Sequence, residues 1–184
     1  MKRTKSKRFI LTVNDEIQMR LLDHTDAEEM FQLTLKNKKF LSQWLMWVRD
    51  VKSINDTRKK IQKDHDNFYA GTALELGIFK KDILIGRVGF ISIKGFIAEI
   101  GYWLSESENG YGIITLCCKK IIEYAFANTT IHRIVIKMDT ENLKSKNVPE
   151  RLGFTKEGTA RGSVLLKGEY RDSFVYSILK TDLK

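Results

Sequence analysis

The sequence predicts an α+β fold with one largely antiparallel central sheet flanked by helices, and three observations carry that prediction. Helical apolar spacing dominates residues 27–69. Two apolar runs then flank the polar turn Lys80-Lys81-Asp82, the pattern of an antiparallel hairpin. A strand, a helix and a second strand follow over residues 97–138. With 184 residues, 42% of them hydrophobic and 30% charged, the chain is long enough for one globular domain with its own core. It has no repeat, low-complexity segment or linker. One domain is expected over residues 9–184, preceded by a tail, residues 1–8, expected to be disordered.

The elements follow in order. Ile17, Met19 and Leu21 alternate with polar neighbours and predict a strand. Thr25-Asp26-Ala27-Glu28 has the form of a capping box and starts a helix that runs to about Lys36. Residues 37–48, with Phe40, Leu41, Trp44, Leu45 and Trp47, read as a second short helix, and residues 53–69 as a surface helix carrying Ile54, Ile61 and Phe68. Residues 72–79 and 83–93 form the hairpin, and residues 97–104 the next strand. Ile114, Leu116, Cys117, Ile121, Ile122, Ala125 and Phe126 have the spacing of a long helix over residues 113–126. A strand over 131–138, a short helix over 145–151 and strands over 154–157 and 174–179 complete the chain.

Net charge is +9, but Lys2, Arg3, Lys5, Lys7 and Arg8 supply five of those charges, and removing them leaves a mildly basic body at +4. The tail reads as a solvated segment, or as an electrostatic arm for RNA, a ribosome or an acidic protein. It lacks the form of a secretory signal, because Asn14, Asp15 and Glu16 interrupt the short apolar run behind it. No apolar stretch is long enough to span a membrane. The two cysteines, Cys117 and Cys118, are helix neighbours that point apart and match no metal spacing, as small thiols of a reducing cytoplasm would. His24, His65 and His132 are scattered, so no metal is expected.

Function is concentrated at Glu108-Asn109-Gly110-Tyr111-Gly112-Ile113, between the strand at 97–104 and the long helix. Glycines let backbone approach a ligand and adopt positive φ. The free N–H groups at a helix start, with the helix dipole, then face an anion. The N–H groups of Gly110, Tyr111, Gly112, Ile113 and Ile114 are therefore expected to hold a phosphate-bearing cofactor. The loop is no P-loop, lacking Gly-Lys-Ser/Thr, and no dinucleotide fingerprint, lacking the third glycine.

Ser107-Glu108-Asn109-Gly110-Tyr111-Gly112 resembles the coenzyme A pyrophosphate loop of the GNAT N-acetyltransferases, with Ser107 where Gln or Arg is usual. Asn142-Leu143-Lys144-Ser145 and Arg151-Leu152-Gly153-Phe154 resemble the second landmark of that family. Ala98-Glu99-Ile100-Gly101-Tyr102-Trp103-Leu104, Gly112-Ile113-Ile114 and Asn37-Lys38-Lys39-Phe40-Leu41 with Trp44 and Trp47 resemble its RimJ/RimL-type branch, the ribosomal-protein N-terminal acetyltransferases. The resemblance covers the chain from about Glu16 onward.

Acetyl transfer from acetyl-CoA to a primary amine, by direct attack on the thioester, is what the resemblance implies. Backbone N–H groups near Trp103 and Leu104 would hold the thioester carbonyl. Glu99, a lone carboxylate in an apolar strand, is the candidate base, against an exposed strand position or a structural ion pair. The resemblance gives Ser145 the leaving-group role, against a helix N-cap. The tyrosine many members carry four residues later is replaced by Pro149. Asn142 is a candidate contact to the pantetheine arm, against a turn residue. Trp44 and Trp47 are core residues or walls of the acceptor groove.

The acceptor implied is a protein N-terminal amine, on an acidic ribosomal protein for instance. Neither membrane nor direct nucleic-acid contact is expected, the location is cytoplasmic, and a homodimer is left open. A small cationic amine (polyamine, amino sugar or aminoglycoside) is the closest rival, disfavoured by an expected shortage of groove carboxylates. A non-catalytic ribosome- or RNA-binding module is the rival of another class.

Overall fold

A computed structural model describes residues 9–183. The basic tail, and with it the expectation of disorder there, lies outside the described residues. Eight strands form one sheet in the order β1-β2-β3-β4-β5-β6-β8-β7, and only β5 and β6 run parallel. The strands are β1 (Ile10–Thr12), β2 (Ile17–Arg20), β3 (Leu74–Lys80), β4 (Ile83–Lys94), β5 (Ile97–Leu104), β6 (Arg133–Asp139), β7 (Thr155–Leu166) and β8 (Glu169–Leu179). The helices are α1 (Ala27–Lys36), α2 (Lys38–Leu41), α3 (Ile54–Tyr69), α4 (Ile113–Asn128) and α5 (Leu143–Arg151). A mixed, largely antiparallel sheet flanked by helices is thus the observed fold class.

Each face of the sheet carries its own core. Ile113, Cys117, Cys118, Ile121 and Phe126 of α4 pack on Ala98, Ile100, Ile134 and Ile136 on one face. Met30, Leu41, Val48 and Ile61 pack on Phe79, Leu84 and Trp103 on the other. Strand alternation explains the division: Ile78 enters the first core and its neighbour Phe79 the second.

Local chemistry corrects several expected boundaries. The capping box ahead of α1 is built by Asp23 and Asp26 rather than opened at Thr25. Asp26 is buried and held by a two-bonded fork from Arg20, both contacts at 2.7 Å. The single helix expected over 37–48 is two pieces, α2 and a one-turn helix at Met46–Arg49, because Leu45 between them is extended (φ −119, ψ 104). That break lets Val48 reach the core and Trp47 pack on Trp103, ring centres 6.2 Å apart. The β3–β4 turn has both Lys81 (φ 49) and Asp82 (φ 64) left-handed, which matches the twist of a two-residue hairpin. β1 was not expected, since three residues are too few for periodicity to show. β7 and β8 reach from Thr155 to Leu179, far beyond the expected pieces. Gly158 and Gly162 sit at irregularities in their pairing, and β7 is mostly exposed, so neither alternation nor burial marks it.

α3 is tied to the sheet by a buried charge cluster. Arg87 of β4 lies 5% exposed, and its guanidinium meets Asp64 of α3 at 2.6 Å. Lys60 bonds both Asp64 and Glu75, the latter at 2.7 Å. Burial pushes the Asp64 carboxyl up, against the pull of Arg87 and Lys60. Asp64→Ala leaves a buried guanidinium short of its partner and is expected to cost about 3–5 kcal/mol in urea unfolding, whereas joint replacement of Asp64 and Arg87 by Leu and Met should cost far less.

Glu157 supplies a pH-dependent contribution. Hydrogen bonds from Arg133 and Ser177 hold its carboxyl down at about 2, against an ordinary 4.5. A lowered folded-state pKa contributes stability that is present above 4.5 and disappears as the pH falls toward 2. The melting-temperature advantage of the wild type over Glu157→Gln is therefore expected to be full above 4.5 and to close between 4.5 and 2. A gap that stays constant through that window would remove this assignment.

Candidate active site

The site begins where two strands part. β5 pairs with β6 only from Ile97↔Arg133 to Ile100↔Ile136, yet β5 runs on to Leu104 and β6 to Asp139. Each keeps its outer partner, Leu104 facing Gly86 of β4 and Asp139 facing Ser173 of β8. The parting is therefore a wedge inside the sheet rather than a frayed end. The bond from Ser105 N–H to the Ile85 carbonyl, 2.8 Å, fixes the phase of the ladder. By alternation the Trp103 backbone also faces β4, and the N–H groups of Tyr102 and Leu104 face the wedge. The Leu104 N–H thus faces the wedge, whereas Trp103 lines the opening with its side chain.

A cavity of about 630 Å³ occupies the wedge. Tyr102 and Trp103 point to opposite faces of β5, and both line it, so the opening passes through the sheet. On the α4 side the lining includes Gly110, Gly112, Ile113, Ile114, Asn142 and Ser145; on the other it includes Phe40, Leu41, Trp44 and Leu45. Gly112 is the N-cap of α4, left-handed at φ 74, and Gly110 has φ 92. A Cβ on either would meet no protein atom within 4 Å, so the space in front of both is open to a ligand. No side chain caps α4, and the first backbone bond back to the cap comes from Leu116. The N–H groups of Ile113, Ile114 and Thr115 are left to an anion, with Lys144 and Arg151 as cations of the same lining.

Three expected site residues stand apart from this lining. Tyr111 is 72% exposed with its ring turned toward Lys80, so only its backbone can serve the loop. Trp47 packs behind Trp103. Glu99 lies on the Trp103 face of β5, with its carboxylate 2.8 Å from Lys137. The cap of α5 is Asn142, whose side chain accepts from Ser145 N–H at 3.1 Å, so the cap role open to Ser145 belongs to Asn142. The Ser145 hydroxyl instead meets the Tyr102 hydroxyl at 2.9 Å.

Sequence reasoning missed Tyr102 and the groove carboxylates. Tyr102 was legible as the polar-tipped, half-buried member of the series Ala98, Ile100, Tyr102, Leu104 on one face of the strand. Glu106, Glu108 and Glu141 line the cavity, which corrects the expected shortage of acid. Glu108 is bonded to Lys80 at 2.9 Å and Glu141 to Arg171 at 2.5 Å, so two of the three are already paired. Asn37 joins the walls: its Oδ1 accepts from Glu106 N–H at 2.9 Å and from the Ser105 hydroxyl at 3.3 Å. Burial pushes the Cys117 thiol up to about 12 and raises the Cys118 thiol well above its ordinary value, so neither is a thiolate nucleophile at neutral pH. Among the described residues no cluster of His, Cys, Asp and Glu could hold a metal, and no helix is long and apolar enough to cross a membrane.

Gly112→Ala tests the anion end of the cavity. The added Cβ strains a left-handed backbone by about 1–2 kcal/mol and intrudes on the ligand space. Coenzyme A affinity by calorimetry is expected to fall about tenfold or more, with the fold retained by circular dichroism. Unchanged affinity would remove the loop from the binding site.

The wedge, the uncapped helix start and the through-going cavity suit a long, phosphate-bearing thioester. Relatives of known type agree. Residues 16–155 match the acetyltransferase (GNAT) domain. The ribosomal-protein-serine acetyltransferase of Escherichia coli (strain K12) is 34% identical over 169 residues, covering 91% of this chain and 94% of that protein. RimL, a ribosomal L7/L12 alpha-N-protein acetyltransferase solved with coenzyme A, superposes with a TM-score of 0.91 at 32% identity over 93% of this chain and 98% of its own. The microcin self-immunity acetyltransferase MccE, solved with acetyl-CoA and AMP, gives 0.87 at 34% identity over 91% and 94%. On its sequence and its fold alike, the chain belongs to the GNAT family of acetyltransferases and is an acetyl-CoA-dependent N-acetyltransferase.

Proposed function

We infer that the acceptor is the N-terminal amine of a protein, a ribosomal protein in particular. The observation that carries this reading is the cavity running through the sheet, with an anion cradle on one face and an apolar wall of Phe40, Leu41, Trp44 and Leu45 on the other. The pyrophosphate would rest on the N–H groups of Gly110 to Thr115, and the pantetheine arm would lie in the wedge. The thioester carbonyl would take the Leu104 N–H, a preorganised donor of the kind worth about 3–4 kcal/mol. The amine then enters from the Trp44 side and attacks directly, since both thiols are buried and protonated. Relatives named for ribosomal-protein acetylation support the acceptor class, and a basic body suits an acidic partner.

The groove carboxylates favour a second reading, a small cationic amine, because Glu106 lines the cavity and makes no ion pair among the described residues. Intact-mass analysis of ribosomal proteins from a strain lacking this chain separates the two. A missing acetyl group of 42 Da on one protein, restored by the purified enzyme, supports the first (about 42 Da being one acetyl in place of hydrogen). Unchanged masses together with turnover of polyamines or amino sugars support the second.

The amine must lose a proton. Glu99 is the proposed base, acting through water that must pass beside the Ile91 side chain, which fills the space over Gly101 on that face. Glu99→Gln is expected to lower turnover at neutral pH by about 10²-fold, with the loss shrinking as the pH rises and the amine deprotonates itself. Glu106→Gln is the comparison. Wild-type turnover for Glu99→Gln together with a pH-dependent loss for Glu106→Gln would transfer the role to Glu106.

A further inference from the structure

We propose that Tyr102 is a positioning residue that holds the Ser145 hydroxyl against the departing thiolate, a role created by Pro149. This rests on the acetyl-transfer reading above. The Tyr102 hydroxyl lies 3.0 Å from the Ser145 carbonyl and 2.9 Å from Ser145 Oγ. It has one proton for two acceptors. In an α-helix the Ser145 carbonyl would accept from the N–H four residues on, but that residue is Pro149, which has none. The phenol makes good that missing donor. Its proton is therefore committed to the carbonyl, and on the second contact Ser145 Oγ–H donates to the phenol oxygen.

Two consequences follow for the chemistry. Ser145 Oγ is fixed in one rotamer at the mouth of the wedge, on a helix whose start is already tied by Asn142. When the amine adds to the carbonyl and the C–S bond breaks, the electron pair leaves with sulfur. The Ser145 hydroxyl proton then turns about its C–O bond from the phenol to the thiolate as a hydrogen bond, and the Tyr102 proton, within reach of both Ser145 oxygens, becomes the bond that keeps Oγ in place, with no net proton transfer and no rotamer change. The coenzyme A thiolate takes its proton later from solvent. Tyr102 is not itself the acid: burial among apolar neighbours pushes its phenol up, and a buried tyrosinate beside Cys118 would be costly. The phenol thus reaches Ser145 from strand β5, while the helix position four residues after Ser145 carries Pro149.

The test separates holding the helix from aiming the hydroxyl. Tyr102→Phe is expected to lower kcat about tenfold, the effect of one hydrogen bond to a charged group, and to lower the melting temperature, with coenzyme A affinity by calorimetry little changed. Tyr102→Phe/Pro149→Ala returns a backbone N–H to the Ser145 carbonyl. It should recover the melting temperature and leave kcat low. Recovery of kcat along with stability would reduce Tyr102 to a structural prop and overturn the proposal. In a Ser145→Ala background Tyr102→Phe should cause no further loss of kcat; losses that multiply would equally overturn it. An active wild type with an unaffected Tyr102→Phe enzyme sinks this inference alone. A wild type that neither binds acetyl-CoA nor transfers acetyl sinks the underlying function as well.

Discussion

The rest of the molecule depends on the loss of pairing between β5 and β6 beyond Ile100 and Ile136. Backbone donors and acceptors inside a protein are almost always paired. A strand that gives up one partner while keeping the other leaves a single row of groups facing inward. Here the outer partners, β4 and β8, continue through the whole split, so the row is held rigid while unpaired. An extended ligand that lies between the strands can complete the pairing at little conformational cost to the protein, which is why the cavity is shaped before anything enters it. The glycines at the start of α4 complete the same logic at the other end, offering N–H groups in place of a capping side chain.

Much of this was legible in the sequence. Ile17 to Arg20 and α4 are legible because each has one face buried and one not, and the β3–β4 hairpin because two apolar runs, buried on both faces, flank a polar turn. The glycine loop was legible because its residues are chosen for backbone conformation, which is a property of residue type. What was not legible depends on partners far apart in the chain. Tyr102 and Ser145 meet across 43 positions, Glu106 and Asn37 across 69, and no local pattern announces either contact. Glu99 shows the opposite difficulty. A lone acid in an apolar strand was visible, but its salt bridge to Lys137 and its distance from the cavity lining were properties of the sheet. The stretch of the β7–β8 arm between the expected pieces at 154–157 and 174–179 was missed because it is mostly exposed and bulged at its glycines, so it carries little apolar alternation to read.

The two faces of the sheet are stabilised by different means. The α4 face is a continuous apolar layer, down to two thiols that behave as small hydrophobes. The α3 face joins an apolar cluster to the buried charges of Arg87, Asp64, Glu75 and Lys60. Such a network contributes little net stability, because desolvation offsets the attraction. It does impose direction. Asp64 must meet Arg87, and that requirement fixes how α3 lies across β3 and β4. Only with α3 in that place can α1 pack beside it and carry α2 and Trp44 to the rim of the cavity.

Asn37 sits at the hinge of that arrangement. One side-chain oxygen receives Glu106 N–H and the Ser105 hydroxyl at the end of β5, while its amide nitrogen bonds the Leu33 carbonyl of α1. The Phe40–Leu45 wall of the cavity and the end of β5 are therefore joined through one amide group. Were binding on one side to shift this joint, linkage would require the effect on the other side to be equal in both directions. Molecules bound on the two sides of this joint would then act as thermodynamic effectors of one another through that asparagine.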